Sequence, residues 1–162
     1  MQAPIDEKDE VAKEEFYSSL EKVCDAVPID NMKTALGDLS AKAGQESYLY
    51  PARRGHSIHN ETSHNGKWMV NFALGTDLDV MGTWYQHKDI HKVNWWSRDN
   101  KIRNPVDQIL VDGQNCMNVD ARSMRGAEIE SDNFFLERGK IRLKIKRGEK
   151  LKKCEIKKWD VG

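Results

Sequence analysis

Cysteine is scarce in this chain: three of 162 residues, and Cys24, Cys116 and Cys154 stand far apart without CxxC or Cys/His zinc spacing. That argues against a disulfide scaffold or a zinc framework and predicts a reduced, intracellular protein, nuclear or cytoplasmic, with ordinary thiols. Long apolar runs are missing too. None approaches the roughly 20 residues that span a bilayer, so no membrane partner is expected. The acidic stretch Met1 to Glu10 lacks an apolar core segment, which speaks against a secretory signal. There is no internal repeat, low-complexity tract, glycine-rich phosphate loop, GxSxG or catalytic Cys/His pairing. Apolar residues make up 38% and charged residues 32%, a polar composition on a length that suits one domain with a real core.

Net charge is also absent, yet the zero conceals two unlike ends. Met1 to Ala26 holds eight acids and three bases, a net of −5, whereas Arg138 to Lys158 holds eleven bases and two acids, a net of +9. A basic end of this kind attracts phosphate backbones or acidic protein surfaces; a solvated strand face followed by a charged helix has the same composition. Arg142, Lys144, Lys146, Lys152 and Lys153 are the candidate nucleic-acid contacts, with DNA or chromatin proteins as partners.

Periodicity predicts a mixed α/β (α+β) domain. Phe16, Leu20, Val23 and Val27 recur at helical spacing, Tyr17 and Cys24 widen that face, and Pro28 stops the helix. Met32 to Leu36 reads as a short buried strand broken at Gly37-Asp38. Residues 41 to 64 lack periodicity and read as a long loop. A second helix is expected over Asn65 to Gly75, with Trp68, Met69, Phe72 and Ala73 inward. Strands are expected over Leu78 to Trp84, Val93 to Ser97, Val106 to Val111 and Asn118 to Arg122. Lys140 to Lys146 alternates bases with Ile141, Leu143 and Ile145, the pattern of a half-buried strand. A helix over Glu149 to Trp159 closes the chain. The division expected is a principal domain over 1–147 and a basic C-terminal segment over 148–162.

Asp38, Asp107 and Asp132 each fall beside an expected strand end. Mg²⁺-dependent phosphodiester hydrolysis needs carboxylates that hold metal, a base for water and donors for phosphate oxygens, and a rigid sheet edge suits that work. Aspartate at a strand end is equally a turn or cap residue, so the residues alone leave both readings open. The pairs His56/His59 and His87/His91 lack the partners of a zinc site and read as loop histidines. Trp84, Trp95 and Trp96 suit base stacking or a core.

The order of these motifs resembles the C-terminal half of the endonuclease/exonuclease/phosphatase family, in the form found in non-LTR retrotransposons and host proteins derived from them. "LGDLSAKAG" is similar to GDFNAKxG and "NGKWMVNFA" to NGxxLxxFA; "QHKDIHKVNWWSRDNKIRNPVDQILVD" is similar to HKxIHKxTW…NxIDxxLID, and "RGAEIESDNFFL" to RGAxxxSDHxLV. "QAPIDEKDEVAKEEFYSSLEKV" looks like a strand end leading into a helix, and "KKWDVG" like the start of a linker. The resemblance implies part of a DNase I-like α/β/β/α sandwich and Mg²⁺ as the family cofactor. It implies that Asp38 positions or deprotonates water, that Asp132 is the metal- and histidine-orienting carboxylate, and that Asp107 orients a catalytic histidine upstream. Two positions depart: Ser40 stands for a phosphate-donating asparagine, and Asn133 for the terminal histidine. With these changes, and with the family's upstream metal-binding glutamate outside the chain, the expectation is a degenerate site that binds no Mg²⁺. A partner or an upstream half is expected to cover the open sheet.

Overall fold

The structure, a computed structural model, describes residues 1–5, 9–47, 52, 55–93, 95–96, 103–104, 107–113, 116–124 and 136–143. Helix α1 runs Glu10–Asp25, with Glu10 in its first turn and Lys22 in its last, charges that complement the helix dipole. Its inward stripe is Lys13, Phe16, Tyr17, Leu20 and Cys24, spaced three and four residues apart. Val23 was expected inward, but it is 64% exposed because the stripe is centred on Lys13 and Tyr17 and leaves position 23 turned away. Helix α2 runs His64–Gly75. Ser63 caps it by accepting from Gly66 N–H at 3.0 Å and also accepts from Lys42 N–H at 3.1 Å, tying the helix start to the loop before it. A side chain at Gly66 would collide with the Lys42 carbonyl, so this approach requires glycine.

Three strands form the central sheet in the order β1 (Thr34–Asp38), β5 (Asp107–Asp112), β2 (Leu78–Val80), all pairings antiparallel. Two residues each make β3 (Trp95–Trp96) and β4 (Arg103–Asn104), which pair with one another. Strands β6 (Cys116–Met124) and β7 (Leu136–Leu143) form a separate antiparallel ribbon. The mixture of helices with antiparallel strands is the α/β class expected.

Several bounds differ from the sequence reading, each for a pairing reason. Strand β1 lies two residues later than expected and includes Gly37 and Asp38, because β5 pairs with it up to the Asp38–Asp107 rung and Ala3 N–H donates to Asp38 O at 2.8 Å. Leu36 is 56% exposed, so the burial expected of that strand holds on one face only. The strand expected to Trp84 ends at Val80, where Met81–Thr83 turn into a 3₁₀ segment and Thr83 Oγ1 donates to Val80 O at 2.8 Å. The strand expected from Lys140 starts at Leu136, because it pairs with β6 throughout. Its expected end, Lys144 to Lys146, and the helix Glu149 to Trp159 lie outside the described residues.

Both faces of β5 are used. Leu110 joins the helices through a core of Tyr17, Met69, Val70, Phe72, Ala73, Leu78 and Val80. Trp68 stacks on Tyr17 with ring centroids 6.0 Å apart, and Phe72 lies 5.8 Å from the same ring. Ile109 and Val111 face the other way, onto Met81, Ala121 and Ile141 of the ribbon side. The described chain is therefore layered, with helices, sheet and ribbon in that order. Each large apolar side chain in these layers contributes roughly 1.5–3 kcal/mol by leaving water.

Candidate functional site

Asp38 ends β1 and Asp107 begins β5, and the sheet register sets them directly opposite one another. Cross-strand neighbours of this kind have Cβ atoms about 4.5–5.5 Å apart, so two carboxylates of like charge share one spot on the sheet. Burial pushes the Asp107 carboxyl above the usual carboxylate range, and the Asp38 charge raises it further. The pair is rigidly held: β5 pairs with one edge of β1, while Gln2 and Ala3 bridge to Asp38 on the other.

Immediately beyond Asp38 the chain turns sharply. Ser40 adopts a left-handed conformation, φ 43°, and directs both its N–H (2.8 Å) and its hydroxyl (3.0 Å) to Asp38 Oδ1. Asparagine visits that region far more readily than serine; here two hydrogen bonds to one carboxylate oxygen hold serine in it. Leu39, Ala41 and Ala43 are buried in the same segment. Two side chains that the sequence reading did not single out secure it. Asn65 Nδ2 donates to Pro4 O at 2.9 Å and reaches Ser40 O at 3.5 Å, and Gln108 Nε2 donates to Ala41 O at 3.1 Å. The available signal was placement: Asn65 opens a helix next to a cap serine, and Gln108 is polar within an otherwise apolar strand.

Asp38, Ser40 and Asp107 are thus brought together. Asp132 and Asn133 lie outside the described residues, as do Lys144, Lys146, Lys152 and Lys153. Arg142 is described and exposed, on β7. Among the described residues, no three His, Cys, Asp or Glu side chains gather in a way that could hold a metal ion. The two carboxylates are the donors present for a hard cation such as Mg²⁺, and the rest of an octahedral shell would have to come from water, substrate or other residues.

His56, His59 and His87 lie in irregular segments, as a loop reading expects, whereas His91 ends a 3₁₀ turn over Asp89–His91. His87 Nε2 lies 2.9 Å from Asp120 Oδ1, joining the segment after the 3₁₀ turn to the ribbon. Arg122 closes on the same carboxylate, Nη2 to Oδ2 at 2.8 Å and Nε to Oδ1 at 3.0 Å. This fork, rather than His87, is the leading cause that holds the Asp120 carboxyl below its ordinary range. Trp84 packs against the ribbon-side core. No helix among the described residues is long and apolar enough to cross a membrane.

No protein-family model matches the chain, and no solved structure matches it. Two curated proteins do. The chain is similar to craniofacial development protein 2. The proteins of that name from Tragulus javanicus and Bos taurus are each 29% identical over 145 residues, 88% of this chain. The chain spans about a quarter of the length of these relatives, 24% of each. Their name states no chemistry; the nuclease reading is carried by the motifs around Asp38, Asp107 and Asp132.

Proposed function

We propose that the chain is a retroelement-derived module of the endonuclease/exonuclease/phosphatase family that does not hydrolyse phosphodiesters and acts through what it binds. One observation carries this reading. Asp38 Oδ1 belongs to the carboxylate that the resemblance assigns to the water nucleophile, and it already accepts two hydrogen bonds from Ser40. Both hydrogen bonds fall on one oxygen, so the lone pairs of Oδ1 that a water nucleophile would need are already engaged within the protein. The Ser40 hydroxyl, spent on Asp38, is turned away from the task of a phosphate donor.

The sequence adds a second deficit at Asn133, where a neutral amide replaces an imidazole that can carry positive charge. Losing one donor of this type costs on the order of 10² to 10³ in rate. In the family that the motifs resemble, Mg²⁺ would polarise a phosphate oxygen, and Asp132 is the residue of this chain that would hold it.

The test is nicking of supercoiled plasmid in Mg²⁺. The wild type is expected to match the Asp38→Ala background, and the double replacement Ser40→Asn with Asn133→His is the variant most apt to exceed it. Wild-type nicking that disappears in Asp38→Ala overturns the proposal and establishes an Mg²⁺-dependent endonuclease instead.

A further inference from the structure

The outward face of the β6–β7 ribbon is strongly basic. Alternation sends Ala121, Ser123 and Ile141 toward the sheet, where Gly139 also makes a close approach: a Cβ there would meet Ile109 Cδ1 at 3.0 Å. The same alternation turns Asp120, Arg122, Met124, Arg138, Lys140 and Arg142 outward. Arg122 stands directly opposite Arg138 on this face. The only acid in this set, Asp120, is occupied by Arg122 and His87. No ion pair among the described residues engages Arg138, Lys140 or Arg142. Asp120, Arg122, Met124, Arg138 and Lys140 line a shallow concavity of about 270 Å³.

The geometry points to this face as a binding surface for the phosphodiester backbone of a nucleic acid. Three of its four cations are arginines, whose planar forks match phosphate oxygens. Arg122 is already engaged by Asp120, which leaves Arg138, Lys140 and Arg142 as the cations available to phosphate. Along β7 the cations at 138, 140 and 142 recur every two residues, roughly 6.8 Å, close to two nucleotide steps of a duplex strand. A two-stranded ribbon also has the width that a DNA major groove admits. An acidic protein fits less well, because stable protein interfaces are built around an apolar centre and Met124 is the single apolar residue of this outward set. The inference names a ligand for the binding role proposed above, but its geometry does not depend on that reading. The cations lie on the far side of the ribbon from the sheet that carries Asp38 and Asp107.

The test is fluorescence anisotropy of the full chain with short labelled duplexes of two unrelated sequences, in EDTA so that hydrolysis plays no part. Both duplexes are expected to bind alike. Each cation on a phosphate adds about 0.9 to the slope of log affinity against log salt. The double replacement Arg138→Gln with Arg142→Gln, neither of which is in an ion pair among the described residues, is therefore expected to lower that slope by about 1.8. Equivalently, the affinity lost between about 50 and about 200 mM salt shrinks by roughly 12-fold. Lys22→Gln with Lys67→Gln removes the same charge from the helix layer and is expected to leave the slope unchanged.

Absence of binding at the lower salt, an unaltered slope in the ribbon variant, or polyglutamate competing as well as duplex would each overturn the inference. Because the plasmid assay in Mg²⁺ reads the carboxylate pair alone, either proposal fails without the other.

Discussion

Replacing Asp107 by asparagine removes one of two facing carboxylates while keeping its size, and the result depends on pH in a definite way. At about 5 Å, two unit charges repel by about 0.8 kcal/mol at the dielectric of water and about 3 kcal/mol at an effective value of 20. Measured like-charge cross-strand pairs cost about 0.2–1 kcal/mol. For a half-buried pair, a gain near 1 kcal/mol at neutral pH is expected, or about 2–4 °C in Tm for a chain of this size. Burial first, and Asp38 second, raise the folded-state value of Asp107 above 3.8. The stabilising contribution of its protonated form is therefore whole below that value and is lost as pH rises through the higher folded one. Asp107→Asn should match the wild type at about pH 3.5 and exceed it at about pH 7.5, as read by urea unfolding at each pH. An equal gain at both pH values, or a loss at the higher one, would refute the reasoning: the first would mean that charge is irrelevant, the second that a hydrogen bond of Asp107 outweighs the repulsion.

Lys13 is 1% exposed, with Nζ 3.2 Å from His64 Nδ1 and His64 Nε2 in turn 3.2 Å from Glu10 Oε1, so it joins the two helices. Lys13→Ala is expected to cost about 2 kcal/mol or more in chemical denaturation, with Lys13→Met recovering part of it through its stem. Phe72→Ala, at a site 2% exposed and packed on Tyr17, should cost about 3–5 kcal/mol. His59 is held below its usual range by burial and then by Lys42. Its neutral form is the one the fold accommodates, so stability is retained above about pH 6.5 and falls as pH drops through the lowered value; His59→Gln should flatten that decline in Tm.

What the sequence made legible was periodicity and order; what it concealed was register. Phe16, Tyr17, Leu20 and Cys24 and the apolar face of α2 could be read from repeats of three and four residues, but Val23, read into the same stripe, is exposed, and Val27 lies beyond the helix, which ends at Asp25. Strand ends have no such internal ruler. Asp38 read as the residue that breaks a strand, yet it is the strand's last rung, because its partners are Asp107, far along the chain, and Ala3. Lys13 was hidden for a related reason. A lysine on the inner stripe contradicts hydropathy, and its polar contact with His64, itself paired with Glu10, becomes visible only once the two helices are packed. The basic alternation of β7 was legible at Lys140 and Arg142, but Arg122 and Arg138 gained meaning only once pairing set them opposite one another.

The layering also bears on how hydrolysis and binding can separate in one small domain. Asp38 and Asp107 occupy the same face of the sheet as Ile109 and Val111, but the ribbon covers only the latter two. Leu36, opposite Ile109, is left 56% exposed, so the footprint of the ribbon stops short of the carboxylate pair. One exposed leucine needs no covering partner. The ribbon's cations face away from the carboxylate pair. In the function proposed, a loss of chemistry at Ser40 and Asn133 would leave the charge pattern of Arg122, Arg138, Lys140 and Arg142 untouched. Physically, a phosphate-binding surface does not require the carboxylates to retain a metal, because its attraction comes from released counterions and guanidinium hydrogen bonds rather than from a coordinated cation.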